Sequence, residues 1–421
     1  MINNQRPFAV DGEVGRFSFQ THRVEMDGEI IYNTAKSVFP AQRAIEKYKT
    51  SGFKEISMIY GTTKKSYRET TALINRIRHQ EGATPMRTLQ DNTEKEGEKL
   101  LDFLEEKTKA IFDKNNFTQE GVPQNIEKYK DNELALIPGE EIKEAIELCG
   151  LSTEQVAEIE NNPVCYEDSA QAVNISIDDV LVKEQKKKRA VVENQESEGG
   201  KRKSIANTIA HIQKDDKFYI VNGYSLLATL KIIIGFLVNN DLLKYRLQFF
   251  MDGERKLRTG IFKVFSWFRN IGIILDWYHV EKKCKELLSM ALKGRQIRND
   301  VLGKLMPLLW YGMVDKAIEY LSELNEKLIK NQDVCNNLIN YLKRNQPYIP
   351  CYAVRKKLGL RNSSNIGEKM NDLIVSNRQK HNGMSWSRSG SVALATLTAL
   401  KRNKEYINWF EDGDLKFKLA A

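Results

Sequence analysis

A chain of 421 residues with 41% hydrophobic and 29% charged residues is long enough for two or three ordered domains, which excludes a disordered or fibrous class. Its 65 Lys and Arg exceed the 56 Asp and Glu by 9, and the pI near 9.0 favours a polyanionic partner without requiring one. Five dispersed cysteines (Cys149, Cys165, Cys284, Cys335, Cys351) show no CxxC spacing, so they support neither a disulfide framework nor a zinc ribbon and fit a reducing cytoplasm.

The opening run MINNQRPFAVDGEVGRF has no apolar core of signal-peptide length. The first ~35 residues read as extended, and FSFQTHRVEMDGEIIYN resembles a hairpin around Asp27-Gly28. From Ala41 to about His79 the period is helical: Phe53 to Tyr60, a turn at Gly61, then Ser66 to Arg78. Ser66 and Glu69 make a capping box for the second of these. A short helix, a glycine turn and a capped helix describe a helix-turn-helix, and Tyr67, Arg68, Asn75, Arg76 and Arg78 are of the types that contact phosphates and base edges. An ordinary helical hairpin with a solvated basic face has the same pattern. An N-terminal region is therefore set at 1–85.

Residues 86–165 form a helical connector, with amphipathic runs at Asp91–Phe112 and Pro138–Cys149 and a short helix from Ser152 to Ile159. Asn162-Pro163 marks its end. Beyond it the period changes to two, with Val173, Ile175 and Ile177 alternating with Asn174, Ser176 and Asp178. The segment from Lys183 to Lys203 carries 8 basic and 4 acidic residues and is either a long hairpin tip or a mobile loop, solvated or clamped on DNA. Strands are predicted at Lys217–Val221, Tyr245–Met251 and Ile271–Asp276, and a helix near Glu254–Phe268. Tyr224–Val238 is interrupted by Lys231 and too short to span a bilayer, so it reads as a buried helix. The order β, β, β, α, β, α, β is that of a mixed α/β sheet flanked by helices. It occupies a domain at 166–421 with a helical insertion at about 283–345, whose apolar stripe includes Leu287, Leu302 and Leu321. The tail from Glu368 to Tyr406 is helical again.

Three acids stand out. Asp178 interrupts the strand NISIDDVLV, Asp252 ends LQFFMDGER, and Glu368 opens a helix in SSNIGEKMND. Scattered carboxylates of this kind suit two divalent cations that clamp the attacking and leaving oxygens of a phosphodiester. Asp276 in IILDWYHV also ends an apolar strand, with His279 three residues on. That pair is too few for a zinc site and reads as an auxiliary group or a structural cluster. There is no GxGxxG, Walker loop, GxSxG or HExxH, which disfavours nucleotide hydrolysis, dinucleotide redox and serine-hydrolase chemistry.

The run from Ser363 to Ala395, SSNIGEKMNDLIVSNRQKHNGMSWSRSGSVALA, together with ILDWYHVEKK and FFMDGERKL, resembles bacterial insertion-sequence transposases of the DDE type, whose core is RNase H-like. The likeness covers roughly residues 170–410. It implies that Asp178, Asp252 and Glu368 are catalytic and bind two Mg²⁺ ions, or Mn²⁺ in their place. One ion would activate water or a DNA 3′-hydroxyl and the other stabilise the leaving oxygen. Many such enzymes have Asp-Gly-Thr at the first acid, whereas this chain has Asp178-Asp179-Val180, which leaves the choice of neighbour open, though strand alternation favours Asp178. Arg378 and Lys380 are placed as phosphate ligands, and His381 and Trp386 against a splayed nucleotide. The implied partners are double-stranded DNA, both element ends with terminal inverted repeats and target, and a second copy of the chain for synapsis. A metal-dependent nuclease without strand transfer, or a non-enzymatic DNA-binding remnant, are the alternatives.

Overall fold

In a computed structural model the described residues are 2–27, 29–33, 50–79, 81–82, 84–130, 136–160, 166–185, 203–363, 365–380 and 384–419. The basic run after Gln185, the Asn162-Pro163 boundary and His381 lie outside them. Strands β1 (Ile2–Gly12), β2 (Gly15–Met26) and β3 (Glu29–Asn33) form an antiparallel sheet in chain order, and β2 and β3 are the predicted hairpin. Helices α1 (Ser51–Gly61), α2 (Tyr67–Ile77) and α3 (Met86–Lys114) follow, then α4 (Gly139–Glu147) and α5 (Thr153–Glu160).

The second sheet is built from β4 (Ala172–Lys183), β5 (Ser204–Lys214), β6 (Lys217–Asn222), β7 (Arg246–Met251) and β8 (Ile271–Leu275). Helix α6 (Leu226–Asn239) joins β6 to β7, and α7 (Arg255–Val264) joins β7 to β8. Helices α8 (Trp277–Ala291), α9 (Arg295–Trp310), α10 (Val314–Ser322), α11 (Gln332–Asn345), α12 (Tyr352–Lys357) and α13 (Asn365–Asn371) come next. A five-residue π turn, Asp372–Ser376, continues α13, and α14 (Arg388–Arg402) and α15 (Tyr406–Asp412) close the chain.

The chain divides into two compact units. One comprises residues 1–104, 181–207 and 373–417, the other residues 105–180, 208–372 and 418–421. In the first, Ser66 caps α2 with the capping box read from the sequence, its hydroxyl accepting from Glu69 N at 3.2 Å. The inner face of α2 is closed by Asn75, which exchanges hydrogen bonds with the backbone of Thr84, and by Arg78, which pairs with Asp11 at 2.6 Å under the Phe53 ring.

The second unit is an α/β assembly on a mixed five-stranded sheet of order β6-β5-β4-β7-β8. β5 and β6 are antiparallel, whereas β4, β7 and β8 run parallel. All six residues of β7 and the last three of β8 are buried, which suits their apolar C-terminal ends, whereas β4 keeps polar residues on one face. Helix α6 is likewise buried almost all round, which explains its uniformly apolar sequence. Residues 277–345 are largely helical, as α8–α11, whose Leu288, Leu305, Leu309, Leu321 and Leu338 pack with Phe250 and Ile274 of the sheet in one apolar cluster. Among the described residues no helix is long and apolar enough to cross a membrane.

Candidate active site

The parallel ladder fixes the heights of the candidate acids. Ser176 of β4 pairs with Phe250 of β7, and Phe250 with Ile274 of β8. Two residues beyond these, Asp178, Asp252 and Asp276 come level on three neighbouring strands. Asp178 and Asp252 line one small cleft together with Ser176, His211, His279, Gly367 and Asn371. The cleft encloses about 10 Å³, the room of roughly one water molecule.

Each carboxylate is held by short local bonds. Asp178 Oδ1 accepts from the Asp179 N–H at 2.8 Å, and Oδ2 accepts from Asn371 Nδ2 at 2.9 Å. Asp252 Oδ1 accepts from Glu254 N at 2.8 Å, closing a turn for which Gly253 supplies φ +86°. The carbonyl of Asp252 accepts from the buried Tyr341 hydroxyl at 3.3 Å, which ties the turn to α11. Burial first, and the neighbouring Asp252 charge second, push the Asp178 carboxyl up to about 6, while His279 acts in the opposite sense. Asp179 faces elsewhere: its carboxylate accepts from the Thr208 hydroxyl and lies 3.7 Å from Lys256 Nζ.

Asp276 is fully buried and does a different job. Its Oδ1 accepts from Tyr278 N and from Ser363 Oγ, both at 2.8 Å, so it is the N-cap of α8 and a tie to the segment before α13. That cap aims the first turn of α8, and with it His279, at the cleft. Asp276, expected as an auxiliary group or a structural cluster, is thus held in structural bonds to α8 and Ser363. Glu368 lies in α13 between Gly367 and Asn371, and its side chain falls outside the described residues.

Several residues expected to touch DNA are turned inward in the first unit. Of those on and next to α2, Tyr67, Asn75 and Arg78 are buried, whereas Arg68 and Arg76 are exposed. Arg378 is 1% exposed, its guanidinium 4.8 Å from the Tyr67 ring and 5.1 Å from Trp386, with Nε donating to the Gly61 carbonyl at 3.3 Å. Trp386 is also buried, its Nε1 donating to the Gln379 carbonyl at 3.0 Å. Tyr67, Asn75, Arg78, Arg378 and Trp386 are corrected from DNA or nucleotide contacts to core residues, because each is buried and presents no accessible donor edge to a phosphate. Lys380 is exposed.

Sequence reading missed His211 and Asn371. His211 is 2% exposed, stacked on Phe218 at 5.2 Å, and its Nε2 meets no hydrogen-bond partner among the described residues. Burial, then the charge of Arg361, bring its pKa down to about 4, so the ring is neutral at pH 7. Nothing in SIANTIAHIQK singled it out, because β5 is buried on both faces over most of its length and shows no alternation. Asn371 had a signal, since it stands three residues after Glu368, on the same helical face.

No protein-family model, no curated protein and no solved structure matches the chain.

Proposed function

We propose that this chain is a DDE-type transposase with an RNase H-like core, cutting the ends of an insertion sequence and joining them to target DNA. One observation carries the reading. Two carboxylates from neighbouring parallel strands, Asp178 and Asp252, face a cleft the size of one water, and burial, with the Asp252 charge second, holds Asp178 near pKa 6. A cation between them would relieve that repulsion. The donors, carboxylate oxygens with an amide beside them, are hard and fit Mg²⁺ or Mn²⁺ better than zinc. Asp178 and Asp252 would hold the ions, with Glu368 joining them from α13 by its sequence motif.

Bound there, divalent cations supply Lewis acidity at the attacking and leaving oxygens of phosphodiester exchange. The protein's own contribution is orientation. Asn371 and the Asp179 N–H fix both oxygens of Asp178, and the Gly253 turn fixes Asp252. A mixed sheet with an antiparallel hairpin beside three parallel strands supports the RNase H-like assignment. Exposed Arg68 and Arg76 on a capped helix after a short turn support DNA binding by the N-terminal region. Synapsis of two ends calls for a dimer on DNA, in the cytoplasm.

The test is a cut-and-join assay with labelled duplexes carrying the inverted repeats that flank the coding region, a target plasmid and Mg²⁺. Nicked ends and joined products are expected, and Asp178→Asn or Asp252→Asn should abolish both while end binding persists. Absence of metal-dependent cleavage overturns the proposal, and cleavage without joined product reduces it to a nuclease.

A further inference from the structure

A second cleft opens on the same side of β4. It holds about 370 Å³ and is lined by Glu167, Asn174, Asp215, Gly359 and Arg361 among others. Strand alternation connects it with the acidic site: Ala172 and Asn174 line this cleft, Ser176 and Asp178 line the other, and all four are even-numbered residues of one strand. Four residues of strand span ~13 Å, the rise of roughly four nucleotides along one DNA strand.

The charges in this cleft do not cancel. Glu167 is consumed by a buried two-pronged pair with Arg355, at 2.6 and 2.5 Å. Asp215 pairs with Lys214 at 2.8 Å. Arg361 is the cation left over: among the described residues its guanidinium meets no carboxylate, and burial holds its pKa below the ordinary arginine value. Its backbone is nonetheless rigidly set. The Arg361 carbonyl accepts from Arg355 Nε at 3.0 Å and Nη2 at 2.7 Å, after a turn in which Gly359 adopts φ +69° and Leu360 N donates to the Arg355 carbonyl at 2.8 Å. Arg361 is also near enough to the acidic cleft for its charge to lower the proton affinity of His211. A partly desolvated guanidinium on a fixed backbone, lining one cleft with an amide side chain, can receive an oxyanion.

We infer that the Arg361–Asn174 cleft is a phosphate subsite that grips the DNA backbone a few nucleotides from the phosphate handled at Asp178 and Asp252. The inference rests on the proposed function. Arg361 offers the planar fork, Asn174 an amide donor, and the Arg355–Glu167 pair the support that holds the Arg361 backbone from which the fork extends.

The experiment is the salt dependence of duplex binding by the full chain, read by fluorescence anisotropy in EDTA so that no chemistry intervenes. Each phosphate contact contributes about 0.9 to the slope of log K against log salt. Arg361→Gln keeps the backbone carbonyl that Arg355 uses, and should flatten the slope by about that amount. Arg361→Lys should restore the slope, and Asn174→Asp should weaken binding several-fold in a folded protein. Wild-type slope in Arg361→Gln overturns the subsite, as does an equal loss in Arg361→Lys, which would mark a structural role. Parallel Mg²⁺ cleavage separates the two claims. Cleavage with an unchanged Arg361→Gln slope sinks the subsite alone, a flattened slope without cleavage sinks the reading of the acids alone, and no duplex affinity sinks both.

Discussion

Replacing Asp252 with Asn should stabilise the metal-free protein at neutral pH while destroying its response to metal. Asp178 has its carboxyl raised from 3.8 to about 6, a gap worth about 3 kcal/mol. Because the folded-state pKa is raised, that stability is fully present below pH 4 and is lost as pH climbs through about 6. Burial is the larger cause and Asp252 the second, so removing the Asp252 charge should return about 1 kcal/mol at pH 7 and nothing at pH 3.5. Asn retains the Oδ1 that accepts from Glu254 N, so the turn survives. In thermal unfolding with EDTA this amounts to a rise of about 2–4 °C at pH 7 for a unit of this size. Carboxyl ¹³C titration should show Asp178 moving down from about 6. A variant less stable than wild type at pH 7, or one gaining equally at both pH values, would refute the reasoning.

Other substitutions test the supports of the site. Arg355→Met leaves Glu167, 2% exposed, as an unpaired buried charge and should cost about 3–5 kcal/mol in denaturant unfolding. The double variant with Glu167→Gln should recover most of that loss. Gly253→Ala places a Cβ 2.8 Å from Leu275 Cδ1 at a φ of +86°, so it should cost about 1–3 kcal/mol and blunt Mg²⁺-induced thermal stabilisation by moving Asp252. Arg68→Glu with Arg76→Glu should weaken binding to the inverted repeats at least tenfold by electrophoretic shift without changing Tm, since both side chains are exposed.

The α/β framework was largely legible in the sequence. Lone apolar runs ended by Asp252 and Asp276 marked β7 and β8, and the switch to period two at Val173 marked β4. Alternation also chose Asp178 as the residue that lines the cleft, because Asp179 projects the other way toward Thr208 and Lys256. What the pattern could not show was depth. Tyr67, Asn75, Arg378 and Trp386 look like surface binding residues in a linear string, yet inside the first unit Arg378 lies against the Tyr67 and Trp386 rings and Asn75 bonds the Thr84 backbone. Polar residues buried as partners leave no periodic trace. His211 was hidden for the opposite reason, lying in a strand buried on both faces.

Most directly at stake is whether Asp178 and Asp252 bind one metal centre. Crystals of the full chain grown with Mn²⁺, with data collected at the manganese edge, should show an anomalous peak between these two carboxylates, and Asp252→Asn should erase it. A peak bound elsewhere with both aspartates free, or none at saturating Mn²⁺, would contradict the account.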